Sequence, residues 1–123
     1  MQGALNDNQS IYLQIAGLIE SQILKDILLE DEQAPSSNEL ARMYAINPAT
    51  AAKGLNLLVD KGLLYKKRGL GMFVSRGAKK MIQDKRKEEF YGAFVLPLVE
   101  EAKYVQLDDQ ELQNMINRAF GEK

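Results

Sequence analysis

The chain has 123 residues, 46% of them hydrophobic, which suits one compact domain with a small appendage. It contains no Cys and no His, which excludes a disulfide framework, thiolate metal sites and the commonest general base and metal ligand. The net charge of −1 is unevenly spread: residues 1–41 carry one Lys and seven acids, residues 42–87 twelve Lys/Arg and two Asp, and residues 88–123 three Lys/Arg and eight acids.

A basic centre between acidic ends is a candidate phosphate-binding surface. No apolar run approaches the roughly 20 residues that span a bilayer. The opening Met1-Gln2-Gly3-Ala4-Leu5 lacks the basic and apolar regions of a secretory signal. A cytoplasmic location with no membrane partner is expected.

Residues 1–9 are polar and expected to be flexible. From Ser10 to about Leu29, Ile11, Ile15, Leu18, Ile19, Ile23 and Ile27 recur at helical spacing. The acidic stretch Glu30-Asp31-Glu32-Gln33 and then Pro35 are expected to end that helix. Ser36-Ser37-Asn38-Glu39 has the form of a capping box. It predicts a second helix near 37–44, with Leu40, Ala41 and Met43 available for a core. Asn47-Pro48 is the next start signal, an N-cap followed by Pro at the first helical position. The third helix is expected from Pro48 to about Lys61, with Leu55, Leu58 and Val59 inward and Gly62 as its stop.

The period then changes. Leu63–Lys67 and Met72–Ser75 read as strands around the turn Arg68-Gly69-Leu70-Gly71, making a hairpin. Arg76-Gly77 reads as a linker. Residues 78–123 read as helical: a charged stretch over 79–89, then the apolar stripe Phe90, Tyr91, Phe94, Val95, Leu98, Val99 and Ala102. Pro97 inside the stripe predicts a kink or a restart. Asp108-Asp109-Gln110-Glu111 predicts another capped start, with Leu107 and Leu112 as a hydrophobic staple. Leu112, Met115, Ile116, Ala119 and Phe120 form the last apolar face.

Three helices and a hairpin within about 65 residues describe a winged helix-turn-helix, in a mainly α (α+β) chain. The tight turn Ala45-Ile46-Asn47 places the third helix to enter a major groove. Lys66, Lys67 and Arg68 lie towards the hairpin tip, where Gly69 and Gly71 let the backbone approach a phosphate or a minor groove. Candidate DNA contacts are Ser36, Ser37, Asn38, Arg42, Asn47, Pro48, Ala49, Thr50, Lys53, Lys67, Arg68, Gly69, Leu70 and Gly71. Arg76, Lys79 and Lys80 are secondary candidates. Ala49, Ala51, Ala52 and Gly54 leave few long side chains on the third helix. Thr50 and Lys53 are then the main base-edge candidates, and phosphate and wing contacts carry a large share of the binding.

The domain division expected is residues 10–77 for the winged domain and 78–123 for a helical dimerisation region. About 46 residues cannot bury all of that stripe alone, which predicts a homodimer. Phe90, Tyr91, Phe94, Val95, Leu98, Leu112, Met115 and Ile116 are the candidate interface residues. No metal or cofactor is expected. Glu100-Glu101 and Asp108-Asp109 are adjacent residues that do not face each other on a helix. With no nucleophile–base pair and no phosphate-binding glycine loop, an enzyme is not expected. The alternatives to an operator-binding regulator are a winged helix used for protein contacts and a low-specificity architectural DNA binder.

Several segments together resemble the GntR family: Ile11-Tyr12-Leu13-Gln14-Ile15, Pro35 through Ala41, Asn47-Pro48-Ala49-Thr50 with Lys53, Leu55 to Leu64, and Arg68-Gly69-Leu70-Gly71-Met72-Phe73-Val74. They run in order over residues 10–76. The Asn-Pro pair and short helical end are most similar to the YtrA subfamily. That resemblance implies an all-helical dimerisation region, no large effector domain and control of a transporter operon; it identifies no small-molecule effector. The partner expected is a double-stranded DNA operator, whose palindromic symmetry a homodimer would match. This chain departs from the family pattern at Asn38, where Arg is usual, and at Ala45, where Gly is frequent.

Overall fold

The computed structural model describes Leu5 and residues 9–122. The elements are α1 (Ile11–Leu24), α2 (Ser37–Tyr44), α3 (Pro48–Asp60), β1 (Leu64–Lys67), β2 (Gly71–Val74), α4 (Ala78–Phe90), a π-helical turn (Tyr91–Val95), α5 (Leu96–Tyr104) and α6 (Asp109–Gly121). The flexible segment expected at 1–9 falls mainly on residues 1–4 and 6–8, outside the described residues. Leu5 packs against the core, and the Gln9 carbonyl accepts from Gln14 Nε2 at 3.0 Å.

α1 is shorter than its apolar spacing predicts. It ends at Leu24 because Asp26 turns left-handed, at φ 61°. The Asp26 amide donates to Ile23 O and the Ile27 amide to Gln22 O, which closes a Schellman cap. Ile27 is therefore exposed and Leu28 buried, the reverse of the continued helix. Gly62 (φ 79°) and Gln106 (φ 62°) close α3 and α5 with the same bond pattern.

The core draws Ile15, Ala16, Ile19 and Ile23 from α1, Leu40 from α2, Ala51, Leu55 and Leu58 from α3, and Leu64 and Val74 from the strands. Met43, expected inside, is exposed on the far side of α2. Gly54 is buried where α3 crosses α1. A Cβ there would lie 2.7 Å from the Tyr12 carbonyl oxygen and 3.0 Å from Ile15 Cβ. The glycine that weakens α3 as an isolated helix thus permits the helices to approach closely.

β1 and β2 pair antiparallel, with Leu64 opposite Val74 and Lys67 opposite Gly71. The acidic segment before α2 adds to the outer edge of β2. Asp31 N donates to Val74 O, Val74 N to Glu32 O, and Ala34 N to Met72 O, at 2.8–2.9 Å. Periodicity did not signal this short ladder, since four residues rich in charge carry no alternating apolar pattern.

The chain divides into two compact units between Asp84 and Lys85. The first therefore runs past the division expected at Gly77. Ala78 and Ile82 of α4 are buried in the winged core, so Arg76-Gly77 is a turn within that unit rather than a linker. In the second unit, Leu96 N donates to Tyr91 O, an i→i−5 bond, just before Pro97. Pro97 has no amide and its ring crowds the preceding turn, so a widened π-type turn accommodates it. α6 opens on the predicted capping box: Asp108 Oδ1 accepts from Glu111 N at 2.8 Å, and Glu111 Oε1 from Asp108 N at 3.0 Å. Leu107 and Leu112 are both half-buried beside that cap. No helix among the described residues is long and apolar enough to cross a membrane, and no cluster of three metal-ligating side chains occurs among them.

Candidate nucleic-acid interface

α2, its turn and α3 form the helix-turn-helix. Ser36 Oγ accepts from Glu39 N at 3.1 Å, and Glu39 Oε1 accepts from Ser36 N at 2.9 Å. The amide bond from Ser36, and then its hydroxyl, hold the Glu39 carboxyl below the usual carboxylate range. Ala45 closes α2 in the left-handed region, φ 54° and ψ 49°. Ile46 tucks against the core. Asn47 Oδ1 then caps α3 by accepting from Ala49 N at 2.8 Å. With Pro48 at the first helical position, this fixes where α3 begins and which edge it shows.

The predicted residues separate by exposure. Ser36, Asn38, Arg42, Asn47, Pro48, Ala49 and Lys53 are exposed, while Ser37 and Thr50 are half-buried. Lys67, Arg68, Gly69, Leu70 and Gly71 are exposed at the hairpin end. Ser36, Ser37, Ala52, Gly71 and Met72 line one shallow apolar hollow of about 170 Å³. The start of α2, the middle of α3 and the base of the wing tip therefore meet on one side. Asn56 is exposed one turn beyond Ala52 and Lys53. It was not singled out from sequence, although its i+7 spacing from Ala49 puts it on the same face.

The basic block resolves into two groups. Arg76 Nε lies 2.8 Å from Asp31 Oδ2, Lys79 Nζ 2.8 Å from Asp26 Oδ2, Lys80 Nζ 3.3 Å from Asp84 Oδ1, and Lys61 Nζ 3.5 Å from Glu20 Oε2. The secondary phosphate candidates Arg76, Lys79 and Lys80 thus have carboxylate partners within the first unit. Arg42, Lys66 and Arg68 enter no ion pair among the described residues. Lys53 Nζ sits 4.1 Å from the Tyr12 ring centroid, and Lys67 Nζ 4.6 Å from that of Phe73. A cation over a ring face keeps its charge while its stem is held in place.

Behind the wing, Asp31 receives two bonds, one from Arg76 Nε and one from the Tyr65 hydroxyl at 2.8 and 2.9 Å. The Arg76 bond and then the Tyr65 bond lower the Asp31 carboxyl; the Asp31 bond raises Tyr65 in turn. Gly77 N also donates to Glu30 Oε2 at 3.0 Å. Strand β1 and the start of α4 are therefore tied to the same acidic segment.

A family model described as bacterial regulatory proteins, gntR family, matches residues 11–74. Over 66 residues the chain is 39% identical to the HTH-type transcriptional repressor NagR of Bacillus subtilis, covering 54% of this chain and 27% of that protein. It is 27% identical to the HTH-type transcriptional regulator YhcF of the same organism over 91% of both chains. It is 35% identical to the HTH-type transcriptional repressor YtrA of B. subtilis, over 56% of this chain and 53% of that protein. The chain thus spans about a quarter of NagR and half of YtrA, but nine-tenths of YhcF. A GntR-family putative regulator from Bacteroides thetaiotaomicron shares the fold with a TM-score of 0.66 at 32% identity, over 90% of this chain and 96% of that one. The AraR DNA-binding domain, in complex with an operator, matches 61% of this chain and 92% of its own at 34% identity, with a TM-score of 0.53. The match over residues 11–74 covers the helix-turn-helix and the wing whose geometry is described above, and the chain belongs to the GntR family of bacterial regulatory proteins.

Proposed function

We propose that this chain is a sequence-specific DNA-binding transcription regulator that represses as a homodimer on a palindromic operator. The observation that carries the reading is the shared face: the start of α2, the exposed edge of α3 and a wing tip with Arg68, which is exposed and enters no ion pair among the described residues. A helix in the major groove would present Thr50, Lys53 and Asn56 to base edges. The wing would bring Arg68 and the glycine backbone of its tip to phosphate or the minor groove. The likeness to the AraR domain, whose complex contains an operator, supports the same docking.

The dimer reading rests on the second unit. Phe90, Tyr91, Phe94 and Leu98 are 43–63% exposed there, and Met115 and Ile116 are 42% and 38% exposed. Val95 and Leu112 are half-buried. Phe90 and Phe94 pack with their rings tilted and centroids 5.2 Å apart, an exposed aromatic ridge one helical turn long. Monomeric proteins rarely leave such a stripe in water, and a second copy matches the two-fold symmetry of an operator. Control of a transporter operon is what the likeness to the YtrA subfamily implies.

The test is retention of chromosomal fragments from the host by the purified chain. A regulator retains a few discrete promoter-proximal sites. Uniform retention supports an architectural binder instead, a reading that the small Ala49 and Ala52 on α3 favour; no retention contradicts DNA binding.

A further inference from the structure

We propose that Gln33 is a positioning residue for the wing: its side-chain amide holds the tip in the conformation that meets DNA. This rests on the DNA-binding reading above. Gln33 Nε2 donates to the Leu70 carbonyl at 2.7 Å, joining the segment before α2 to the far end of the hairpin. The Gln33 side chain starts from a fixed place, because Gln33 bridges Phe73 and its neighbour Ala34 donates to Met72 O at 2.8 Å. Gly71 shows how close the fit is. Its φ is 119°, and a Cβ there would lie 2.7 Å from Gln33 Nε2.

The tip needs such a hold. Gly69 and Gly71 are its two most freely rotating residues, at φ 77° and 119°. Within the turn, the Leu70 amide donates to Lys67 O at 2.9 Å. A loose tip would have to be ordered on binding, and fixing one residue's backbone costs on the order of 1 kcal/mol. The amide does this ordering in the free protein. It also occupies the Leu70 carbonyl, an acceptor that would otherwise repel an approaching phosphate. The Leu70 side chain stays 64% exposed, directed away from the core.

The test uses the full chain and an operator enriched from random duplex DNA. Gln33→Met keeps length and volume but cannot donate. Gln33→Lys keeps a donor and serves as the rescue. Backbone relaxation at residues 68–71, operator affinity and thermal midpoint are measured together. Gln33→Met should loosen residues 69–71 and weaken operator binding about five-fold, the equivalent of ordering one residue. Its thermal midpoint should stay at the wild-type value, and Gln33→Lys should restore order at the tip. In an Arg68→Ala background the Gln33→Met effect on affinity should shrink, which a merely structural role would not produce. Unchanged tip order, or a loosened tip with unchanged affinity, overturns the positioning role while leaving DNA binding intact. Failure of the wild-type chain to bind any duplex overturns the underlying reading and this role with it.

Discussion

Gly54 of α3 lies against the backbone of Tyr12 in α1, so closely that a Cβ would stand 2.7 Å from the Tyr12 carbonyl oxygen. Two effects of Gly54→Ala oppose each other. Helix propensity favours Ala by about 1 kcal/mol. Overpacking a tight contact costs about 1–3 kcal/mol, and here the obstacle is backbone that cannot rotate away. The packing cost wins. Gly54→Ala should lower the urea midpoint, with a net loss of about 1 kcal/mol, and displace α3 from α1. An unchanged or raised midpoint would show that the helices separate freely.

The acid limb of stability should depend on Asp31 and Glu39, whose carboxyls are both held below the usual range. A lowered folded-state pKa contributes stability that is present above the unfolded value. It is lost as pH falls through the folded one. Urea midpoints should therefore decline below about pH 4, where free carboxyls titrate. Asp31→Asn should be less stable than wild type at pH 7, with the gap closing at lower pH. A gap that stays constant between pH 7 and pH 3 would remove Asp31 from this role.

How much was legible in the sequence depended on what kind of signal each element carries. Caps are local chemistry, so Ser36 with Glu39, Asn47 with Pro48 and Asp108 with Glu111 marked helix starts that the structure reproduces. The end of α1 was not legible, because Ile27 continues the helical spacing while Asp26 breaks the helix through its own backbone. The partners of Arg76 and Lys79 were not legible either. They lie 45 and 53 residues away in sequence, and only the folded chain brings them together. The reason for Gly54 was not legible, because a glycine inside a helix only lowers its propensity and the Tyr12 backbone it makes room for lies in another helix.

On the face proposed to meet DNA, Lys53 and Arg68 should behave differently. Lys53 is held over the Tyr12 ring on α3, and Arg68 is exposed at the wing. Lys53→Ala should weaken operator binding and relax base preference. Arg68→Ala should weaken binding to all duplexes alike and reduce the salt slope by about 1. Fluorescence anisotropy across a salt series separates the two. Wild-type affinities in both variants would place the docking surface elsewhere.

The exposed aromatic ridge should govern assembly. Phe94 is 63% exposed in the single chain, so Phe94→Asp costs the isolated fold little. In a dimer it would bury a charge. Sedimentation velocity should show a dimer for the wild type and a monomer for the variant, with the helical content of both alike. A variant that remains dimeric would move the interface off this ridge.

Selection of binding sites from a random duplex library, at low and at physiological salt, tests the central claim most directly. The account predicts one enriched site with two-fold symmetry, bound by the full chain with affinity that falls steeply as salt rises. Recovery of no enriched sequence at either salt would contradict it.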